Sequence, residues 1–213
     1  MRKPKILITA GATHEHIDPV RYITNASSGL QGKLLAYEAI KRGYEVIFIA
    51  GRLTIPIDDA EPNLKIINVV SADDMYEAAM KHFPKCDVAI CAAAVGDYKV
   101  KNQSTEKIKR TGDSITIELA PNKDIAKNLG EIKKTSQILI GFALETNEPT
   151  RNAWAKIVKK NLDYVVLNQV TKDNPAFNVN NNVVTIIKND GTIVDLEKSS
   201  KEVIATKIFD ICL

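Results

Sequence analysis

Apolar runs of strand length alternate with amphipathic stretches over the first two-thirds of the chain. Residues 5–9 (KILIT) are almost wholly apolar, a helical pattern runs from about 28 to 42, and residues 45–50 (EVIFIA) are apolar again. Strand, helix, strand in that order predicts a parallel sheet. Leu30, Leu34 and Tyr37 stand at helical spacing on the expected inner face, and Gly43 follows the last turn as a C-cap. A strand at 65–70 leads to Ser71, with Asp74 three residues on, which predicts a capped helix bearing Met75, Ala78 and Ala79 inward. Further strands are expected at 87–92, 115–119, 137–143 and 164–167, with helices starting near 124 and 150.

The tail changes character. Segments 182–188 and 192–196 flank Asn189-Asp190-Gly191, where Asp-Gly favours the positive φ of a tight hairpin turn. A last helix from about 198 would carry Ile204, Ile208 and Ile211 inward. The expected fold is a doubly wound, Rossmann-like α/β domain, single over residues 1–213, with a mostly parallel sheet and a C-terminal antiparallel hairpin appendage. One long polar stretch, 96–112, is rich in lysine and falls between sheet elements, as a lid does.

Composition narrows the function classes. At 213 residues and 45% hydrophobic the chain can bury one full core, and its longest apolar runs are too short to span a bilayer, so a cytoplasmic protein with no membrane partner is expected. A net charge of +3 comes from 29 basic and 26 acidic residues without a basic block, which argues against nucleic acid. The three cysteines, Cys86, Cys91 and Cys212, form no Cys-x-x-Cys pair and read as small core residues. His14 and His16 flank Glu15, a poor zinc set without a third ligand.

Candidate chemistry gathers where the strands end. The first strand ends in Gly11-Ala12-Thr13, and a polar turn, Asn25-Ala26-Ser27-Ser28-Gly29, opens the first helix. In open α/β sheets that edge holds the ligand, and free amides at a helix start attract phosphate. No dinucleotide fingerprint or Gly-x-x-x-x-Gly-Lys-Ser/Thr loop is present, so spacing alone leaves a plain helix cap as the alternative. Read singly, other residues also have ordinary explanations. Arg21 suits a carboxylate or a surface ion pair, Lys107 is a loop lysine, and Asp97 can take a ribose hydroxyl, magnesium or a loop-capping role. Lys156 and Lys160 fit a solvated helix face, and Phe142 fits the core.

Taken together the residues resemble a known family. Residues 17–29 (IDPVRYITNASSG), 93–98 (AAVGDY), 106–110 (EKIKR), 122–125 (NKDI), 141–146 (GFALET) and 159–163 (KKNLD) are similar to the motifs of phosphopantothenoylcysteine synthetases, the synthetase half of a bifunctional coenzyme A enzyme. The resemblance covers nearly the whole chain in order. It implies a ligase that joins 4′-phosphopantothenate to L-cysteine through an acyl-cytidylate formed from CTP, with Mg2+ and without flavin. It also implies a homodimer, with 182–196 as a dimer element, and a separate phosphopantothenoylcysteine decarboxylase acting next.

By residue, the resemblance implies catalytic roles for Asn25, Lys107 and Arg21. It implies substrate contacts from Arg21, Asn25, Ser27, Ser28, Gly29 and Ala94. Nucleotide contacts would come from Gly11, Ala12, Thr13, Ala92, Ala93, Asp97, Lys107, Lys123, Asp124, Ile125, Ala126, Phe142, Lys156 and Lys160. Family members read Gly-Gly-Thr where this chain has Gly11-Ala12-Thr13, alanine at Gly96 and proline at Lys123, differences that bear on CTP against ATP. A nucleotide-binding reductase or regulatory module using the same sheet edge is the rival reading.

Overall fold

The computed structural model describes residues 2–169 and 180–213, except positions 59, 111 and 113. In chain order the elements begin with β1 (Lys5–Ala10), β2 (His14–His16), β3 (Tyr22–Thr24), α1 (Leu30–Lys41), β4 (Glu45–Ala50) and β5 (Leu64–Asn68). They continue with α2 (Ala72–His82), β6 (Val88–Cys91), β7 (Tyr98–Val100), β8 (Leu119–Pro121), α3 (Ile125–Ile132), β9 (Ile138–Glu145) and α4 (Pro149–Lys160). The last are β10 (Tyr164–Gln169), β11 (Asn181–Asn182), β12 (Val184–Lys188), β13 (Ile193–Asp195), β14 (Ser199–Ser200) and α5 (Lys201–Cys212).

Eight strands form one sheet in the order β13-β12-β10-β9-β6-β1-β4-β5. The six from β10 to β5 are parallel, and β12 and β13 extend the sheet antiparallel. The expected C-terminal hairpin therefore exists and is built onto the sheet edge, with Gly191 supplying φ +94° in its turn. The chain runs β1, β4, β5 toward one edge and β6, β9, β10 toward the other. The switch point thus falls between β1 and β6, where the connections part and leave a crevice at the strands' carboxyl ends.

Side-chain alternation sends β1 into two cores. Ile6 and Ile8 meet α1 and α5 on one face; Leu7 meets α2, α3 and α4 on the other. Burial on both faces explains why the central strands read as continuous apolar runs. In α1 the buried positions are Gly32, Leu35, Ala36 and Ala39, not the expected stripe of Leu30, Leu34 and Tyr37, which are half-buried. The cause is Gly32: a Cβ there would lie 2.4 Å from the Ala10 Cβ, so the helix approaches β1 along its glycine side. In α2, Ser71 and Asp74 form the expected capping box.

Two further expectations are corrected. Residues 115–118 form no strand; only Leu119–Pro121 pairs, and it pairs with Tyr98–Val100 in a separate ribbon rather than in the sheet. Ile115 is exposed and has no strand beside it, so its alternating pattern finds no partner. The 96–112 stretch is likewise not one free loop, because β7 lies within it and its middle is tied to the β2–β3 connection, Ser104 N donating to the Ile17 carbonyl at 3.0 Å and Ile108 N to Asp18 Oδ2 at 3.2 Å.

Candidate active site

The turn between β3 and α1 is held against the end of β1 by two glycines. Gly29 has φ +81° and Gly11 φ +96°, and a Cβ on Gly29 would sit 2.2 Å from Leu53 Cδ2 and 3.1 Å from Gly11 Cα. Only glycine at both positions allows this approach. The N-cap residue of α1, Gly29, offers no side chain; Ser28 Oγ accepts from Leu30 N at a long 3.4 Å, and no acidic residue stands in the first turn, so no carboxylate compensates its positive end.

Two cavities open in the crevice. The larger, about 510 Å³, is walled by Ala93 to Asp97 after β6, by Asn122 to Ala126 at the start of α3, by Phe142, and by Lys156 and Lys160 of α4. The smaller, about 170 Å³, is lined by Ser27, Ser28, Gln31, Asn168, Asn182, Lys201 and apolar groups. Both are bounded by Ala93, Ala94, Phe142 and Leu144, so they share one wall.

The sequence-expected residues divide between them. Asn25, Ala93, Ala94, Asp97, Lys123, Asp124, Ile125, Ala126, Phe142, Lys156 and Lys160 line the larger cavity. Ser27, Ser28 and Ala92 line the smaller. Gly11, Ala12, Thr13, Gly29, Arg21 and Lys107 line neither. Thr13 is fully buried, its hydroxyl oxygen accepting from Gly96 N (2.9 Å), so it props the loop after β6 from behind. Lys107 is exposed on the 96–112 segment.

Cations in the larger cavity are lightly engaged. Lys160 Nζ lies 3.0 Å from Asp124 Oδ2 and Lys156 Nζ 2.5 Å from Glu145 Oε1, while Lys123 Nζ sits 4.5 Å from the Tyr76 ring centre. Partly exposed pairs of this kind are worth roughly 0–1 kcal/mol, so an incoming phosphate can take either lysine at small cost. Asp124 also caps α3, Oδ1 accepting from Lys127 N at 3.0 Å. Asn25 Nδ2 donates to the Val95 carbonyl at 3.1 Å and to the Ala94 carbonyl at 3.3 Å, which fixes the carboxamide at the cavity rim.

Sequence reasoning missed two groups here. Asp18 is fully buried; its carboxylate accepts from the amides of Val20 (2.8 Å) and Arg21 (2.9 Å), from Arg21 Nε (3.0 Å), and from the amide of Ile108 (3.2 Å). Arg21 Nη2 also donates to the Ile108 carbonyl at 2.9 Å, so Asp18 and Arg21 together clasp the lysine-rich segment beside Lys107. The Arg21 guanidinium holds the Asp18 carboxyl far below the usual range, helped by the backbone amides. Asp18 stood inside the signature, but a carboxylate in a polar run carries no sequence mark of its burial. Asn122 is the second. Its Nδ2 donates to the Gly96 carbonyl at 2.8 Å, whereas its buried Oδ1 meets no donor among the described residues.

Burial pushes the thiols up, Cys86 to about 11 and both Cys91 and Cys212 to about 12, so all three stay protonated near neutrality.

The family model described as "DNA/pantothenate metabolism flavoprotein C-terminal domain" matches residues 1–213. A protein named cysteine/cysteine sulfinic acid decarboxylase, from an unknown prokaryotic organism, is 41% identical over 204 residues, covering 96% of this chain and 56% of that protein. The coenzyme A biosynthesis bifunctional protein CoaBC of Bacillus subtilis (strain 168) is 41% identical over 196 residues, covering 92% of this chain and 48% of that protein. The chain thus spans about half the length of these curated relatives. Among solved structures, a crystal structure of the C-terminal domain of CoaBC shares the fold with a TM-score of 0.81 at 36% identity, covering 99% of this chain and 94% of that one. These matches bear out the resemblance drawn from the motifs and the Rossmann-like fold it implied. With its full length matched by that family and its crevice built from the same motifs, the chain belongs to the DNA/pantothenate metabolism flavoprotein C-terminal domain family.

Proposed function

We propose that this chain is a ligase that joins 4′-phosphopantothenate to L-cysteine, giving 4′-phosphopantothenoylcysteine through an acyl-cytidylate, in coenzyme A biosynthesis. One observation carries the reading: a lysine-lined cavity and a phosphate-turn cavity share the wall at Ala93, Ala94 and Phe142. A condensation of two phosphorylated molecules needs two such sites with their reacting ends together. CTP takes the larger, and the acid takes the smaller. Membership of the family and the likeness to CoaBC support the choice of substrates. The decarboxylase name of the other relative describes a protein of which this chain covers 56%.

In the first step a carboxylate oxygen of the acid attacks the α-phosphorus of CTP, and pyrophosphate leaves. In the second the cysteine amine attacks the acyl carbon, gives up a proton as the amide forms, and CMP leaves. No protein nucleophile and no flavin are needed, in keeping with three protonated thiols. Lys123, Lys156 and Lys160 face the phosphates, Lys107 meets them from the neighbouring clasped segment, Ile125 and Ala126 with Phe142 bound the base, and Asn25 with Ala94 faces the acyl group. Arg21 keeps Nη1 free among the described residues, enough to meet the acid while Nε and Nη2 hold the clasp. Asp97 is an exposed carboxylate on the cavity wall, and one carboxylate plus substrate phosphates is an ordinary magnesium site. Bound there, Mg2+ would neutralise triphosphate charge.

We further propose cytoplasmic operation and a homodimer, with a flavin-dependent decarboxylase as the next enzyme. Among the described residues no helix is long and apolar enough to cross a membrane. β13 is a sheet edge carrying the exposed Ile193, which suits the hairpin as a dimer element.

The test is pyrophosphate release with every combination of phosphopantothenate, CTP or ATP, and cysteine. Release should require the acid and a triphosphate, run faster with CTP, and yield phosphopantothenoylcysteine once cysteine is added. Release without the acid would make the chain a triphosphate hydrolase rather than this ligase, none with all three leaves the binding-module reading standing, and equal turnover with ATP removes the CTP preference alone.

A further inference from the structure

Lys201 is the first residue of α5 and only 7% exposed, yet its ammonium has no carboxylate or other hydrogen-bond partner among the described residues. A cation at a helix start is already disfavoured by the helix dipole, and covering most of the lysine's stem adds to the cost, although the ammonium itself is not among the buried unpartnered atoms. Such a placement persists where the charge has work to do. Lys201 lines the smaller cavity, whose wall contains no aspartate or glutamate among the described residues. Glu202, next in sequence, is exposed and outside that wall.

Positive potential gathers there. The start of α1, without an acidic residue in its first turn, supplies Ser27, Ser28 and Leu30 to the wall, and α5, capped by Ser200 Oγ accepting from Val203 N at 3.2 Å, starts beside it, Gln31 Nε2 donating to the Lys201 carbonyl at 3.3 Å. Lys201 adds a full charge between two helix N-termini. In the larger cavity, by contrast, Lys156 and Lys160 are each matched by a carboxylate. The smaller cavity's lysine has no carboxylate partner among the described residues.

Resting on the ligase reading, we propose that Lys201 anchors the phosphate monoester end of the acid substrate, with Ser28 and Gln31 beside it. The acid's carboxyl must lie at the wall shared with the nucleotide cavity, so its other end points into the 170 Å³ space. Apolar walls from Ala143, Leu144 and Val184 suit a short branched carbon chain on the way and offer little room for a base. Burial lowers the pKa of Lys201, and a bound phosphate dianion would restore it.

The experiment compares phosphopantothenate with unphosphorylated pantothenate in the pyrophosphate assay. Lys201→Met keeps the stem and removes the charge. Its KM for phosphopantothenate should rise about 10- to 100-fold, the range for losing a charge-assisted contact, with the KM for CTP within about twofold and the preference for phosphopantothenate over pantothenate falling by a similar factor. An unchanged preference for the phosphorylated acid, or a rise in the CTP KM instead, overturns the assignment. If Lys201→Met does not fold by circular dichroism, Lys201→Arg decides: a longer, forked cation should shift the phosphopantothenate KM several-fold and leave pantothenate alone, and no shift in that ratio overturns it. A wild type inactive with phosphopantothenate overturns the ligase reading too; an active wild type with discrimination intact in the variants overturns this inference only.

Discussion

Gly130 sits inside α3, where alanine would ordinarily add about 1 kcal/mol of helix stability. Here the opposite is expected. A Cβ on Gly130 would lie 1.9 Å from the Lys160 carbonyl oxygen and 2.9 Å from its carbon, both backbone atoms at the end of α4. Neither can rotate away, so the helices must part by about 1.5 Å to recover the 3.4 Å of an ordinary contact. Parting them stretches the bond from Asn161 Nδ2 to the Gly130 carbonyl (2.9 Å), and Asn161 already holds φ +51° to end α4. Overpacking of this kind costs roughly 1–3 kcal/mol and outweighs the propensity gain, which for a chain this long lowers the melting point by about 2–4 °C per kcal/mol.

The functional consequence follows from which helices move. α3 carries Asp124 at its start and α4 carries Lys160 at its end, and the two meet at 3.0 Å on the wall of the larger cavity. Gly130→Ala should therefore raise the KM for CTP several-fold while the KM for cysteine stays near wild type. Thermal unfolding and steady-state pyrophosphate kinetics read the two effects. A variant as stable as wild type with unchanged CTP kinetics would show that the helices yield without moving the site, and the reasoning would fail.

Lys107→Ala should slow acyl-cytidylate formation about a hundredfold, the usual loss for one cation at a transferring phosphate, and near-normal pyrophosphate release by the folded variant counts against the lid role. Asn25→Asp sets a carboxylate against the Ala94 and Val95 carbonyls and removes the Nδ2 donor proposed to serve an acyl oxyanion, so the acyl-cytidylate should form and persist with cysteine present. Quenched single turnovers analysed by mass spectrometry test this, and joint loss of product and intermediate would move Asn25 to the first step. The folded-state pKa of Asp18 is depressed, so its stabilising contribution is present above the unfolded value of about 3.9 and is lost as pH falls below it. Acid titration should show wild type more stable than Asp18→Asn near neutrality and the two converging below about pH 4; a constant gap down to pH 2 would refute the clasp's electrostatic basis.

What the sequence made legible, and what it did not, divides along the range of the interactions. Runs such as KILIT and EVIFIA marked the central strands because both faces of a parallel sheet are buried, and Ser71 with Asp74 marked a helix start because capping is local. Ile115 misled because alternation signals a strand only where a partner exists, and α1's inner face was misplaced because a glycine's close approach to Ala10 outweighed the spacing of larger residues. The motif residues that line the cavity walls could be named as candidates because they lie in contiguous signature segments. Asp18 and Lys201 did not, since each acquires its character across a long sequence gap: Asp18 from the Ile108 amide, Lys201 from the start of α1. Asp18 is a charge withdrawn from water and compensated within the chain, and so reads as structure. Lys201 is largely covered, has no such partner among the described residues and lines a cavity, where an anionic ligand would supply the missing partner.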